Sequence, residues 1–182
     1  MKQSMLTLII LFSSLTISAQ KQLSNTYDWH TMVAVSKSEG VNTSGFYVEF
    51  LQNKNNWWGD WLIPWRASLQ LTDLRNERFN KTNYRQITMG HATFGVGGLK
   101  PLSDRVTLSV DGGVVLGGEN LVQVNGRTND HFYIGLSSFQ GILFFPSKQW
   151  ALVLKAGIYE EFLTSKVYGV DIGLQIGLGI RF

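Results

Sequence analysis

Hydrophobic and polar residues alternate along the last part of the chain. Tyr168, Val170, Ile172, Leu174, Ile176, Leu178, Ile180 and Phe182 are apolar. Gly169, Asp171, Gly173, Gln175, Gly177, Gly179 and Arg181 between them are small or polar. Successive side chains of a strand point to opposite faces, so this pattern predicts a strand with one greasy face and one polar or empty face. A strand with lipid on one side and a polar lumen on the other needs that division.

The same period recurs upstream and predicts eight strands. The first covers 29–36, with Trp29, Val33 and Val35 on one side and His30, Met32, Ala34 and Ser36 on the other. The second covers 45–52, where Phe46, Val48 and Phe50 alternate with Tyr47, Glu49 and Leu51. In the third, 65–72, Trp65, Ala67, Leu69 and Leu71 oppose Arg66, Ser68, Gln70 and Thr72. Glycines dilute the fourth, 87–99. The fifth, 106–116, sets Val106, Leu108, Val110, Val114 and Leu116 against Thr107, Ser109 and Asp111. The sixth, 132–145, alternates only in its first half. The seventh, 150–159, sets Trp150, Leu152, Leu154 and Ile158 against Lys155 and Gly157, and the terminal strand is the eighth.

The connections predict an orientation. Residues 99–105 and 146–149 read as short turns, and 73–85 and 117–130 as longer polar loops, the latter with an Asn125-Gly126 turn signal. Short turns inside and longer loops outside match an outer-membrane barrel. The connection 53–64 breaks the rule. It should be periplasmic but is long, and its Trp57, Trp58 and Trp61 read as membrane-interface anchors or as a small soluble aromatic core.

The start of the chain agrees with export. Residues 1–20 carry Lys2, an apolar run over 5–17 and Ser18-Ala19-Gln20, the order of a cleaved secretory signal. The expected organisation is a signal peptide over 1–20 and a barrel domain over 21–182. Cleavage after Gln20 removes Lys2 and takes the formal charge from +3 to +2, which gives no support to direct nucleic-acid binding. The sequence has no cysteine, so an exported fold must rest on hydrogen bonds and packing. No segment after residue 20 is apolar for long enough to be a membrane helix. The expected fold is therefore all-β: an eight-stranded antiparallel transmembrane barrel in the bacterial outer membrane, with lipid as its surroundings.

The polar face is where chemistry would lie. Glu49 and Arg66 fall on neighbouring strands, as do Lys155 and Asp171, while Asp111 and Arg181 lie on the same side of theirs. Buried charges need opposite partners, and an eight-stranded barrel is just wide enough for side chains to fill. These six residues read as a lumen charge network that plugs the barrel, or as the lining of a narrow polar path or small-ligand pocket. Catalysis has weak support. Ser109, His91 and Asp111 supply the residue types of a triad, but position 93, two beyond His91, is threonine rather than the serine of lipid-modifying barrels. No cysteine and no close histidine pair offers a metal site, and no cofactor motif is present.

Several segments resemble the TraO family of conjugative-transposon proteins. They are Ser44-Gly-Phe-Tyr-Val48, the glycine-bearing 90–99, Leu102-Ser-Asp-Arg-Val106, 112–119, Phe145-Pro-Ser-Lys-Gln149 and the closing glycine-rich strand. The resemblance implies a non-enzymatic outer-membrane part of a DNA-transfer apparatus, with other subunits of that apparatus as partners. It carries over no catalytic residues. The Trp-rich 53–64 connection departs from it. A general small barrel serving adhesion or envelope stability is the alternative.

Overall fold

The computed structural model describes residues 29–75, 78–79, 82–147 and 150–182. The expected signal segment, 1–20, lies outside them. Among the described residues there are eleven strand segments and no helix: β1 (Thr31–Gly40), β2 (Ser44–Gln52), β3 (Trp57–Trp58), β4 (Trp61–Leu62), β5 (Trp65–Arg75), β6 (Arg78–Phe79), β7 (Thr82–Pro101), β8 (Val106–Gln123), β9 (Thr128–Phe144), β10 (Leu152–Leu163) and β11 (Val170–Arg181). Eight of these close into an antiparallel barrel, each pairing with its neighbour in sequence and β11 pairing back onto β1. The ring therefore has no open edge. At the lower end Phe182 N donates to Thr31 O (2.8 Å) and His30 N to Phe182 O (2.7 Å), so the last residue is part of the seam.

The register fixes the barrel's shape. One line of partners runs Thr31, Gln52, Trp65, Val96, Gly112, Ser138, Glu160, Ile172. Ile172 O then accepts from Val41 N, ten residues above the start on β1. A shear of ten over eight strands demands steeply tilted strands and a narrow bore that side chains fill.

All eight expected strands form, and their faces follow the alternation. On β5, Arg66, Ser68, Gln70 and Thr72 are buried inside while Trp65, Leu69 and Leu71 are exposed outside. On β11, Val170, Ile172, Leu174, Ile176 and Leu178 point out, and Asp171, Gln175 and Arg181 are buried. The outward apolar rows make a belt around most of the barrel, the surface a bilayer core requires. Trp65, Trp150, Trp57 and Trp58 are exposed at the lower end, as aromatic side chains at a membrane boundary are. Trp29 departs from expectation. It precedes β1, and its indole turns inward to 2 % exposure.

The upper end differs from the sequence reading. Residues 73–85 and 117–130 are not long loops. β5 continues to Arg75, β7 starts at Thr82, β8 runs to Gln123 and β9 starts at Thr128. The turn at 124–127 is tight, with Gly126 at φ +84° and Gln123 N donating to Arg127 O at 2.8 Å. β7, β8 and β9 have 20, 18 and 17 residues, against 10 in β1 and 9 in β2. One side of the barrel thus rises above the other as a three-stranded wall. On this wall the apolar set changes face. Ile87, Met89, Val115 and Leu121 are buried inside, whereas Thr88, Asn120 and Asp130 are outside. In the belt the solvent is lipid and apolar residues face out; above it the solvent is water and they face in.

Candidate functional site: the layered lumen and the outer wall

The lumen is filled in layers. Lowest is an apolar plug of Trp29, Met32, Leu51, Leu62, Leu99, Leu143, Phe145 and Val153. Leu62 comes from the Trp-rich connection, where β3 and β4 form a small hairpin (Trp57↔Leu62, Trp58↔Trp61). The indole of Trp61 crosses above Gly98, where a Cβ would sit 3.1 Å from the ring, and Lys100 lies 5.9 Å from its centroid. The long connection therefore closes the lower mouth as well as carrying aromatic residues to the boundary.

Above the plug sits a charged layer centred on Glu49. Lys155 Nζ lies 2.6 and 2.8 Å from its two carboxylate oxygens, and Gln175 Nε2 donates to Oε1 at 2.6 Å. Arg66 Nη2 lies 3.6 Å from Glu49, and Arg66 Nη1 pairs with Asp111. Lys155 also rests 3.7 Å from the centroid of the Phe139 ring. All are at least 95 % buried. The layer balances two carboxylates with two cations drawn from β2, β5, β8 and β10, as buried charge requires.

A second polar layer lies higher. Tyr47 OH donates to Glu161 Oε1 at 2.7 Å, and His91 Nε2 stands 3.2 Å from the same oxygen. His91 Nδ1 is 3.1 Å from Tyr133 OH. Asp171 accepts from Tyr159 OH (2.8 Å), Thr43 Oγ1 (2.5 Å) and Asn42 N (2.9 Å). The lumen is capped by an apolar cluster that includes Ile87, Met89, Val115, Leu121, Val167 and Tyr168. Its lid is the 164–169 connection, held by Glu119, which accepts from Ser165 Oγ (2.5 Å) and Lys166 N (2.9 Å). Burial pushes the Tyr168 phenol up, so it stays a neutral hydroxyl there.

Of the six residues of the expected charge network, Glu49, Arg66, Asp111 and Lys155 form one cluster. Asp171 and Arg181 stand apart from it. Lys155 reaches across the lumen to Glu49 rather than sideways to Asp171, which fastens the upper β1–β2 turn. Arg181 lies at the bottom, not beside Asp111. It stacks 4.9 Å from Phe145 and donates to the carbonyls of Trp150 (3.1 Å) and Ser147 (3.3 Å). The sequence reading missed Tyr47, Tyr133, Tyr159 and Glu161 as members of the second polar layer, and weighed His91 only for a triad. Tyr47 and Glu161 sit at inward positions, and the alternation marked Tyr47 as such. The triad types do not assemble. Ser109 pairs with Leu99, and His91 lies eight residues further along β7, about 26 Å at a strand's rise.

The outer face of the wall carries a different chemistry. Asp73 accepts from Gln86 (3.0 Å) and Thr88 (3.4 Å), and Asn120 donates to Asp130 (2.6 Å). Between them a shallow cleft is lined by Thr88, Gly90, Gly118, Asn120, Asp130 and Phe132.

No protein-family model and no curated protein matches the chain. Solved structures do. The attachment invasion locus protein Ail of Yersinia pestis is similar with a TM-score of 0.51 at 20% identity, over 84% of this chain and 95% of that one. Neisserial surface protein A gives 0.55 at 14% identity, over 84% and 94%. The N-terminal barrel of Pseudomonas aeruginosa OprF gives 0.52 at 10% identity, over 84% and 96%. The fold is that of a small outer-membrane β-barrel.

Proposed function

We propose that this protein is a non-enzymatic, closed outer-membrane barrel that docks a macromolecular partner on its outer wall. The observation that carries the reading is the wall itself. Three strands are extended beyond the lipid belt, Ile87, Met89 and Leu121 on them are turned inward, and a shallow cleft is left on the outside, with Thr88, Asn120 and Asp130 beside the apolar surface of Leu71 and Phe132. Such an extension has no use for spanning a bilayer, which needs about 9–11 residues per strand. The layered lumen supports a scaffold rather than a pore, because apolar layers bracket the polar ones at both ends.

The resemblance of its segments to TraO proteins makes the partner another subunit of a conjugative DNA-transfer apparatus. Export by the 1–20 segment belongs to this reading. Adhesion or envelope stability is the second reading, and the wall's exposed position favours it equally well on geometry alone.

Mating frequency from a donor lacking the gene tests the first reading. Transfer should collapse and return with the wild-type gene. It should not return with Gly118→Tyr, which fills the cleft where an added Cβ meets only His131 O at 3.8 Å. Unchanged transfer in the deletion strain sinks the conjugation reading; full rescue by Gly118→Tyr sinks the cleft as the docking point. Cell attachment by the same strains tests adhesion.

A further inference from the structure

The lipid-facing belt is interrupted by charge on one side. Glu160 points outward from β10 between Ile158 and Phe162, which are 49 % and 51 % exposed. Ser138 donates to its carboxylate at 3.2 Å, and Gln140 is exposed below. On β1, Lys37 points outward between the apolar neighbours Phe46 and Ile176 and pairs with Glu39. Charge at this depth is costly unless a partner meets it. The strand between them, β11, presents only apolar residues outward, with Leu174 61 % and Ile176 67 % exposed.

Lys37 and Glu160 lie at nearly one height. A strand of this tilt climbs about 2.4 Å per residue, and a line of partners about 3 Å per strand. Lys37 pairs with Ile176, which pairs with Ala156, four residues below Glu160. Glu160 therefore stands about 4 Å above Lys37, within reach of a lysine side chain. The two flank β11 on opposite sides.

We propose that β11 is the centre of a two-fold interface with a second copy of this chain. A two-fold axis along the membrane normal through the contact sets β11 against β11, and brings β10 of each copy opposite β1 of the other. Lys37 of each copy then meets Glu160 of its partner, twice by symmetry, around an apolar seam at Leu174. The acceptor and the cation are on the same face, which is what a self-complementary surface needs. A different protein with a cationic strand, or lipid alone, is the other occupant the test separates.

The chain has no cysteine, so single cysteines report contacts cleanly. In native outer membranes under oxidant, Leu174→Cys should form a disulfide-linked dimer. Phe94→Cys, 57 % exposed on the diametrically opposite β7, should not. In the Leu174→Cys background, Lys37→Glu or Glu160→Lys alone should cut the cross-linked fraction at least five-fold, and the double reversal should restore it. Insertion of each is checked by heat-dependent gel migration. If a reversal fails to insert, the milder Glu160→Gln takes its place, again with at least a two-fold loss expected. Light scattering of the unaltered protein in detergent should give the mass of two chains. Equal cross-linking at Leu174 and Phe94, a link from Leu174 only to another protein, or single reversals without effect would each overturn the proposal.

Discussion

Lys155 on β10 reaches across the barrel to Glu49 on β2, with its ammonium 2.6 and 2.8 Å from the two carboxylate oxygens. The residues are 106 positions apart, and the contact ties two facing walls. Removing Lys155 alone leaves two carboxylates facing one guanidinium in a site without water to spare. Lys155→Ala should destabilise the barrel by about 3–5 kcal/mol, because a buried charge loses its partner. The double change Glu49→Gln with Lys155→Met keeps the layer neutral and should recover most of that loss. Urea unfolding from lipid vesicles, followed by tryptophan fluorescence, measures both.

Phe139 owes its position to two glycines. Gly141 and Gly157 are direct partners across β9 and β10, and a Cβ on either would lie 2.6 Å from the Phe139 ring and 2.7 Å from the other glycine's Cα. The ring lies over this floor and carries Lys155 above it. Gly157→Ala should therefore cost about 1–3 kcal/mol through overpacking. The companion change Phe139→Leu should return part of it, whereas Phe139→Leu alone should be destabilising. A double-mutant cycle by the same unfolding assay decides the point.

The outward position of Leu69, 60 % exposed in the middle of β5, places it in lipid. Leu69→Lys should cost about 2–4 kcal/mol. Its inward neighbour Gln70 offers the contrast, since Gln70→Leu removes polar atoms from the lumen and should leave the belt and insertion intact. Normal folding yield for Leu69→Lys would show the faces to be reversed.

Asp171 gathers Asn42 N, Thr43 Oγ1 and Tyr159 OH around one carboxylate. Asp171→Ala should release the β1–β2 turn while leaving the belt closed. Global stability should fall by about 1–3 kcal/mol, and amide exchange at 41–43 should rise well before that of β2. Uniform exchange across β1 and β2 would argue that the turn has no separate fastening.

Much of this was readable from the residues. On β5 as far as Thr72, and on β11, the lipid-facing residues are apolar and the lumen-facing ones small or polar, so period two survives intact. On β9 the signal fades because the lumen itself becomes apolar there: Phe139, Leu143 and Phe145 face in while Ile142 and Phe144 face out. The wall was hidden for the opposite reason. Above the belt the phase of the alternation reverses, so residues such as Asn120 and Asp130 read as loop although the backbone ladder continues. The grouping of the charges also lay beyond the sequence. Strand adjacency pointed Lys155 to Asp171, but the bore is narrow enough for contacts across it, and these bring β2 to β10 and β5 to β8. Arg181 had three carbonyl bonds and a phenyl face available at the lower mouth, none of which a pattern of side-chain types records.

The ten-residue shear makes the bore a matter of integers. Slipping one ladder by a single residue would turn a whole strand inside out, sending Glu49 or Arg66 into lipid. Slipping by two would change the shear, and with it the radius, at every strand at once. The cylinder consequently has no small dilation open to it. Any change of state that this protein undergoes must be made by the wall, the lid at 164–169 or the company the barrel keeps in the membrane, around a ring that stays rigid throughout.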